Sequence, residues 1–165
     1  MVPAANEAPS ARLLLFRVGG RLCALPLVHV IETMRPLPIN AVAGAPPYVA
    51  GLAIVRGTAL TVIELAGLLD PTWLAKTHAD DQQLPARFVT VKTSERPVAL
   101  AVQAVVGVRT LPQASLRELP GLLRDAEAGA ITSIGTLDSE LLLVLAAARL
   151  LPTVASGDFP WEGAG

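Results

Sequence analysis

Residues 12–25 read RLLLFRVGGRLCAL, and residues 87–100 read RFVTVKTSERPVAL. Each stretch begins with an apolar, partly β-branched run, passes through a short polar turn and resumes with a second apolar run. This is the pattern of two short strands joined by a hairpin. Similar Arg-x-Leu-Pro tetrapeptides follow at residues 35–38 and 109–112. Agreement at this many points predicts two copies of one supersecondary unit.

The two copies also close alike, because residues 57–63 (GTALTVI) match residues 139–145 (SELLLVL). Gly19-Gly20, Arg56-Gly57 and Asp138-Ser139 separate apolar runs and are predicted hairpin turns. Short helices are predicted at residues 27–31 and 64–69, with a helix-like tail at 147–151. The sequence therefore predicts an all-β protein with short helices, built as small barrels or a sandwich.

The repeat also predicts the domain organisation. Residues 12–70 and 86–152 are the two predicted halves. Residues 71–85 are the predicted linker, because they are polar and lack hydrophobic periodicity. Residues 1–11 and 153–165 are predicted to be flexible tails.

The composition favours a protein that binds other proteins. Hydrophobic residues make up 52% of the chain and charged residues 16%, against a usual charged share of about 25%. This excess of apolar residues is typical of a chain with a sizeable core and some apolar surface for a partner. The net charge is −1 and basic residues form no run, which argues against a nucleic-acid partner.

The predicted location is the cytoplasm. A single cysteine excludes an internal disulfide and fits a reducing compartment. The first ten residues lack the basic and apolar regions of a signal peptide. The longest apolar run, residues 141–148, is shorter than the roughly 18 residues of a membrane-spanning helix. We therefore expect no direct membrane insertion.

No catalytic, metal or cofactor site is predicted. Cys23 and His29 are conceivable partners in a nucleophilic pair, but no local signature supports one. His78 with Asp80 and Asp81 could be called a ligand cluster, yet a polar linker lacks the fixed geometry that metal sites need. Phosphate-binding glycine motifs are absent from the sequence.

Arg56 and Glu32 are the candidate interaction residues. Arg56 lies at a predicted hairpin between two very apolar strands. The alternatives are a solvated turn charge and an interface arginine, whose planar guanidinium can bond carboxylates and backbone oxygens while its stem packs on apolar surface. Glu32 follows a short apolar stretch and would, on its own, be a surface acid.

These features together resemble the CheW family of chemotaxis coupling proteins over residues 13–151. Ile54-Val55-Arg56-Gly57 stands where the family has Asn-Leu-Arg-Gly, its most specific motif. The resemblance also rests on residues 15–20 (LFRVGG), 24–27 (ALPL), 30–32 (VIE), 46–51 (PPYVAG), 134–139 (IGTLDS) and 141–144 (LLLV).

The resemblance implies a single CheW-like domain over residues 12–152, made of two SH3-like five-stranded β-barrel subdomains packed together. It implies no enzymatic activity and no cofactor. The implied role is an adaptor that couples the cytoplasmic tip of a methyl-accepting chemoreceptor to the regulatory domain of a CheA-like histidine kinase. The partner-binding residues carried over are Arg56, Gly57, Glu32, Val30 and Gly51.

The sequence departs from the family pattern at several positions. Ile54 and Val55 replace Asn and Leu, Glu64 stands where Asp is common, Gln103 replaces another Asp, and Cys23 replaces a frequent aromatic. These departures leave two alternatives open. The chain could be a divergent CheW-like scaffold in a pilus-linked or other signalling pathway, or a small-ligand-binding β-barrel.

Overall fold

The computed structural model describes residues 9–70, 87–120, 130–147 and 150. Within these ranges the strands are β1 (Ser10–Val18), β2 (Arg21–Pro26), β3 (Val30–Met34), β4 (Val49–Val55), β5 (Thr58–Glu64), β6 (Arg87–Val91), β7 (Val98–Val102), β8 (Ala104–Pro112), β9 (Arg117–Glu118), β10 (Ile131–Leu137) and β11 (Glu140–Leu145). One α-helix, α1 (Leu65–Leu69), and two 3₁₀ helices, Leu27–His29 and Gln113–Ser115, complete them. The prediction of a mostly β protein with short helices is confirmed.

The strands form two sheets. The six-stranded sheet has the order β8-β1-β2-β11-β10-β9, and the five-stranded sheet has the order β3-β6-β7-β5-β4. Strand β2 pairs in parallel with β11, and β5 pairs in parallel with β7. Each sheet therefore joins the opening hairpin of one sequence half to the closing hairpin of the other, so the two sheets do not coincide with residues 12–70 and 86–152.

Of the three predicted segments outside the two halves, only the N-terminal tail can be compared with the structure, and only in part. Strand β1 begins at Ser10, inside the tail predicted at residues 1–11. The predicted linker at 71–85 and the predicted tail at 153–165 lie outside the described residues.

The three predicted hairpin turns are confirmed by the strand register. Val18 faces Arg21 across Gly19-Gly20, Val55 faces Thr58 across Arg56-Gly57, and Leu137 faces Glu140 across Asp138-Ser139. All of these turn residues have positive φ, as two-residue turns between twisted strands require.

The core has three layers, and their arrangement explains the uninterrupted apolar runs. The inter-sheet core contains residues from both sheets, among them Phe16, Cys23, Val89 and Leu100. Each sheet also has an outer core on its far face. The outer core of the six-stranded sheet is Leu13, Leu15, Leu22, Ala24, Leu142 and Val144. The outer core of the five-stranded sheet is Ala53, Val62, Phe88, Ala99 and Ala101. Central strands are thus buried on both faces and need no polar alternation.

The two short helices predicted in the first half have different outcomes. The helix predicted at residues 64–69 is present as α1, with Leu65 and Leu69 buried in the inter-sheet core. The segment predicted at 27–31 forms a 3₁₀ turn over Leu27–His29 and then enters β3. The β-branched residues of this segment favour an extended backbone, which explains the difference. In the described part of the chain, no helix has the length and apolar character that a membrane crossing requires.

Candidate functional site

The β4–β5 hairpin presents an arginine in an uncommon backbone conformation. Arg56 has a φ of 49° and Gly57 a φ of 81°, the left-handed pair that a tight hairpin turn needs. A left-handed arginine is uncommon, whereas glycine adopts this region freely. The turn therefore fixes the Arg56 side chain at the tip of the hairpin, where 80% of it is exposed.

Arg56 forms an ion pair with Glu32 of β3. Its Nε lies 3.0 Å from Oε1 and 3.1 Å from Oε2 of Glu32, and its Nη2 lies 3.0 Å from Oε2. The hydrogen bonds that the guanidinium donates to the carboxylate, and then the carboxylate's charge, raise the pKa of Arg56. Glu32 is the less exposed partner, at 27%. The carboxylate thus holds the guanidinium in one orientation while most of the arginine still faces solvent.

This ion pair joins the two edges of the five-stranded sheet. Strands β3 and β4 are its outermost strands and pair with different neighbours. A second link between the edges is the bridge of Asn40, in the β3–β4 connection, to Leu52, with N–O distances of 2.8 and 2.9 Å. The outer strands therefore lie within side-chain reach of each other, which is the curvature of a small closed barrel.

A cleft of about 300 Å³ opens between these edges. Glu32 and Arg56 form its polar rim. Its remaining lining residues come from β3, the connection after it and β4: Thr33, Met34, Leu37, Ile54 and Val55. Ile54 is 58% exposed although its neighbours Ala53 and Val55 are buried. The cleft can accept an apolar side chain while Arg56 offers hydrogen-bond donors at its edge.

Gly51 and Val30, two of the predicted site residues, have structural roles in the strands. Gly51 is buried with a φ of 146°, and a Cβ there would lie 2.2 Å from the Asn40 carbonyl oxygen. It permits the close approach that forms the Asn40–Leu52 bridge. Val30 is partly buried and packs against the inter-sheet core. The structure thus brings Arg56, Gly57 and Glu32 together, while Gly51 and Val30 shape the strands that carry them.

A second Arg–Glu pair lies on the six-stranded sheet and was not predicted. Arg17 of β1 bonds Glu140 of β11 through two hydrogen bonds of 2.6 and 2.9 Å. The contact raises the pKa of Arg17 and lowers that of Glu140, chiefly through the hydrogen bonds. Both side chains are about two-fifths exposed, at 40% and 39%. Their separation in sequence left no local signal from which the pair could be found.

In the sequence, Ile54 stands out only as a departure from a motif, and no interaction is predicted for it. The alternation of β4, with Ala53 and Val55 buried on one face, carries the missing signal: an isoleucine on the opposite face is an apolar residue offered to solvent. Gln103, another departure, has a structural place. Its Oε1 accepts a hydrogen bond of 2.9 Å from the Gly20 backbone N–H.

The chemically reactive candidates do not assemble a site. Cys23 is buried in the inter-sheet core, whereas His29 is exposed in the 3₁₀ turn. Over residues 9–70, 87–120, 130–147 and 150, no group of three or more His, Cys, Asp or Glu side chains is arranged to hold a metal ion. His78, Asp80 and Asp81 lie outside the described residues.

Known proteins resemble this chain along most of its length. Two curated relatives are the probable chemotaxis protein CheW of Rhizobium etli, 25% identical over 81% of this chain and 82% of that protein, and the chemotaxis protein CheW of Rhizobium meliloti, 21% identical over 86% and 87%. The crystal structure of the scaffolding protein TtCheW from Thermoanaerobacter tengcongensis superposes with a TM-score of 0.74 at 18% identity, covering 92% of this chain and 99% of that one. It shares the fold.

The family assignment rests on the sequence match itself. Residues 12–155 match the CheW-like domain family, a span that contains both sheets except for the first two residues of β1, together with the cleft between β3 and β4. The chain therefore belongs to the CheW-like domain family, whose members are adaptors and scaffolds rather than enzymes.

Proposed function

We propose that this protein is a chemotaxis adaptor that couples the cytoplasmic tip of a methyl-accepting chemoreceptor to the regulatory domain of a CheA-like histidine kinase. Family membership supports the class of function, and the relatives from both Rhizobium species are chemotaxis proteins by name. The proposed site of action is the cytoplasm. The partners are proteins, with no nucleic acid and no membrane insertion.

The observation that carries the proposal is the cleft at the joined edges of the five-stranded sheet. It combines an exposed isoleucine, Ile54, with an arginine that is held by Glu32 and still 80% exposed. Arginine beside apolar surface is a common composition for the centre of a protein–protein interface. We propose Arg56, Gly57 and Glu32 as partner-binding residues, with Val30 and Gly51 supporting the strands around them.

The small-ligand alternative has less support. A cleft of about 300 Å³ is at the lower limit of typical ligand pockets, about 300–1,000 Å³. Its walls are an ion pair and two strand edges, and it is open to solvent. A pilus-linked or other signalling pathway would use the same surface, so the choice between pathways depends on which kinase and receptor bind.

The test is a titration of the protein with the regulatory domain of the cognate CheA-like kinase, with the receptor tip, and with both. We expect binding to each and a ternary complex. Arg56→Asp should weaken binding to at least one partner by about 30-fold or more, as hot-spot arginines do. It should lower the melting temperature by only a few degrees, because the ion pair that it breaks is largely exposed on the arginine side. Arg96→Asp, an equal change of charge in the exposed β6–β7 turn, is the matched control.

Two outcomes would contradict the proposal. If the wild-type protein binds neither a cognate kinase domain nor a receptor tip, the adaptor function is wrong. If Arg96→Asp weakens binding as much as Arg56→Asp, the effect is one of net charge and the cleft is not the site.

A further inference from the structure

Strand β3 has a β-bulge at Ile31, one residue before Glu32, where its pairing with β6 shifts by one residue. Val30 faces Val91 and Glu32 faces Thr90, so two residues of β3, Val30 and Ile31, lie opposite Val91. Such a bulge turns the following side chains to the other face of the sheet. Val30 accordingly packs against the inter-sheet core, whereas Met34 packs against the outer core of the five-stranded sheet. Glu32 lines the cleft because of this phase change.

The bulge is held by the side chain of Thr90 on β6. The Thr90 Oγ1 accepts a hydrogen bond of 3.2 Å from the backbone N–H of Glu32. The same hydroxyl donates a hydrogen bond of 3.3 Å to the Glu32 carbonyl oxygen. Both polar groups of the Glu32 backbone thus have a partner at the point where the regular ladder is interrupted.

Thr90 is an unusual residue for its position. It is 1% exposed and is the one buried polar side chain among the residues that the structure describes. Valine would fill the same space, and a buried hydroxyl is unfavourable unless it is hydrogen-bonded. Both hydrogen bonds found for it go to a single residue, the one that holds Arg56. The Thr90 hydroxyl therefore holds the backbone of Glu32 in place.

We propose that Thr90 is a positioning residue of the partner site: its hydroxyl holds the β3 bulge so that the Glu32 carboxylate faces Arg56. This inference rests on the proposed function of the cleft. It predicts that Thr90 affects partner binding only through the Arg56–Glu32 pair, although Thr90 itself is buried and touches no partner.

The first test needs no partner. Hydrogen exchange of the Glu32 amide, followed by NMR, should become about tenfold faster in Thr90→Val, because the amide loses its acceptor. Thr90→Ser keeps the hydroxyl and should retain protection. The Leu100 amide of β7 serves as the reference. If both amides accelerate by the same factor in Thr90→Val, the hydroxyl stabilises the whole fold and the positioning role is wrong.

The second test measures affinity for the kinase regulatory domain. Thr90→Val should weaken binding by about three- to tenfold, the usual range for one hydrogen bond, and Thr90→Ser should restore most of it. In an Arg56→Ala background, Thr90→Val should have no further effect. Additive losses would overturn the inference. If wild type binds no kinase but Thr90→Val still frees the Glu32 amide, the adaptor function fails while the positioning of Glu32 stands.

Discussion

Both sheets carry an Arg–Glu ion pair, Arg17–Glu140 in the six-stranded sheet and Arg56–Glu32 in the five-stranded sheet, and these two pairs differ in what they connect. Arg17 and Glu140 lie on β1 and β11, and both strands are hydrogen-bonded to β2. The ladder already fixes the distance between them. Arg56 and Glu32 belong to the two edges of the five-stranded sheet, which share no ladder. The Arg17–Glu140 pair therefore adds little to strands that backbone pairing already holds, whereas the Arg56–Glu32 pair connects the two edges of its sheet.

The two ion pairs also differ in how much of each side chain is exposed to solvent. Arg17 and Glu140 share exposure almost equally, at 40% and 39%, while Arg56 is 80% exposed and Glu32 27%. In the second pair the carboxylate is the anchor and the guanidinium is the group presented to solvent. This difference is why we propose Arg56, and not Arg17, as a partner-binding residue.

The largest expected effect is that of Gly51→Ala, which disrupts the contact between the two edges of the five-stranded sheet. The new Cβ would meet the Asn40 carbonyl 2.2 Å away, so the edge bridge must break or shift. We expect a loss of about 3 kcal/mol in the free energy of unfolding, measured by urea denaturation.

Gly107→Ala is the matched control on the six-stranded sheet. Gly107 has a φ of 144°, close to the 146° of Gly51, but nothing lies within 4 Å of its Cβ position. Backbone strain alone should then lower stability by about 1 kcal/mol. Equal losses in the two variants would show that the approach to Asn40 has no energetic importance.

Exchanging the two charged residues of each ion pair distinguishes the structural role of the pair from a role in partner binding. Arg56→Glu combined with Glu32→Arg restores the ion pair, so the melting temperature should stay within about 2 °C of wild type. Partner affinity should remain about tenfold or more weaker, because the exposed charge is reversed. The exchange Arg17→Glu with Glu140→Arg should leave both quantities unchanged. Recovery of partner affinity in the first exchange would assign Arg56 a purely structural role.

Glu64 is a buried ionisable residue of the five-stranded sheet, and the repeat-related residue of the six-stranded sheet is Ala146, which does not titrate. The Glu64 N–H donates to Tyr48 O (2.7 Å), and in the repeat-related position the Ala146 N–H donates to Ala130 O (3.1 Å). Burial raises the pKa of the Glu64 carboxyl from 4.5 to about 7. The folded state therefore binds a proton at Glu64 more tightly than the unfolded chain does. The contribution of Glu64 to stability is fully present below pH 4.5 and is lost as the pH rises through about 7.

Urea denaturation at pH 5 and pH 8 checks this dependence. Wild type should lose about 1 kcal/mol more than Glu64→Gln between these values, a figure reduced from the full pKa difference because the group is partly solvated. A pH dependence that is identical in wild type and Glu64→Gln would assign it to other groups.

The smallest effect is expected in the hairpin turns. Ser139 adopts a φ of 66° at the position where the other closing hairpin has Gly57, with a φ of 81°. Ser139→Gly should stabilise the protein by about 0.5 kcal/mol because it relieves left-handed strain. The reciprocal change, Gly57→Ser, should destabilise it by a similar amount in the same denaturation assay. A loss of stability in Ser139→Gly would mean that the serine side chain stabilises the turn.

Local sequence patterns were sufficient for the hairpins but not for the sheets. Gly19-Gly20, Arg56-Gly57 and Asp138-Ser139 determine turn geometry by their own conformational preferences. The exchange of opening and closing hairpins between the halves depends on contacts such as Leu22 with Leu142, for which no local rule exists. The segment at 27–31 was predicted as a helix because its apolar run is too short for periodicity to distinguish helix from strand.

The candidate site was predictable as residues but not as an arrangement. Arg56 and Glu32 were singled out separately, and only the curvature of the sheet brings them into contact. Thr90 gave no signal, because a threonine in an apolar strand is ordinary by β-propensity. Its role becomes visible only with the bulge in β3, which a period-two pattern cannot reveal.

The exchanged hairpins also determine when each sheet can be completed during synthesis. Strands β1 and β2 leave the ribosome first, yet β2 pairs with β11, and β5 pairs with β7. Neither sheet can be completed from the first half of the chain, and such distant pairings are slow to form. During synthesis β2 therefore keeps one edge unpaired until β11 has been translated, and an exposed apolar strand edge of this kind favours aggregation.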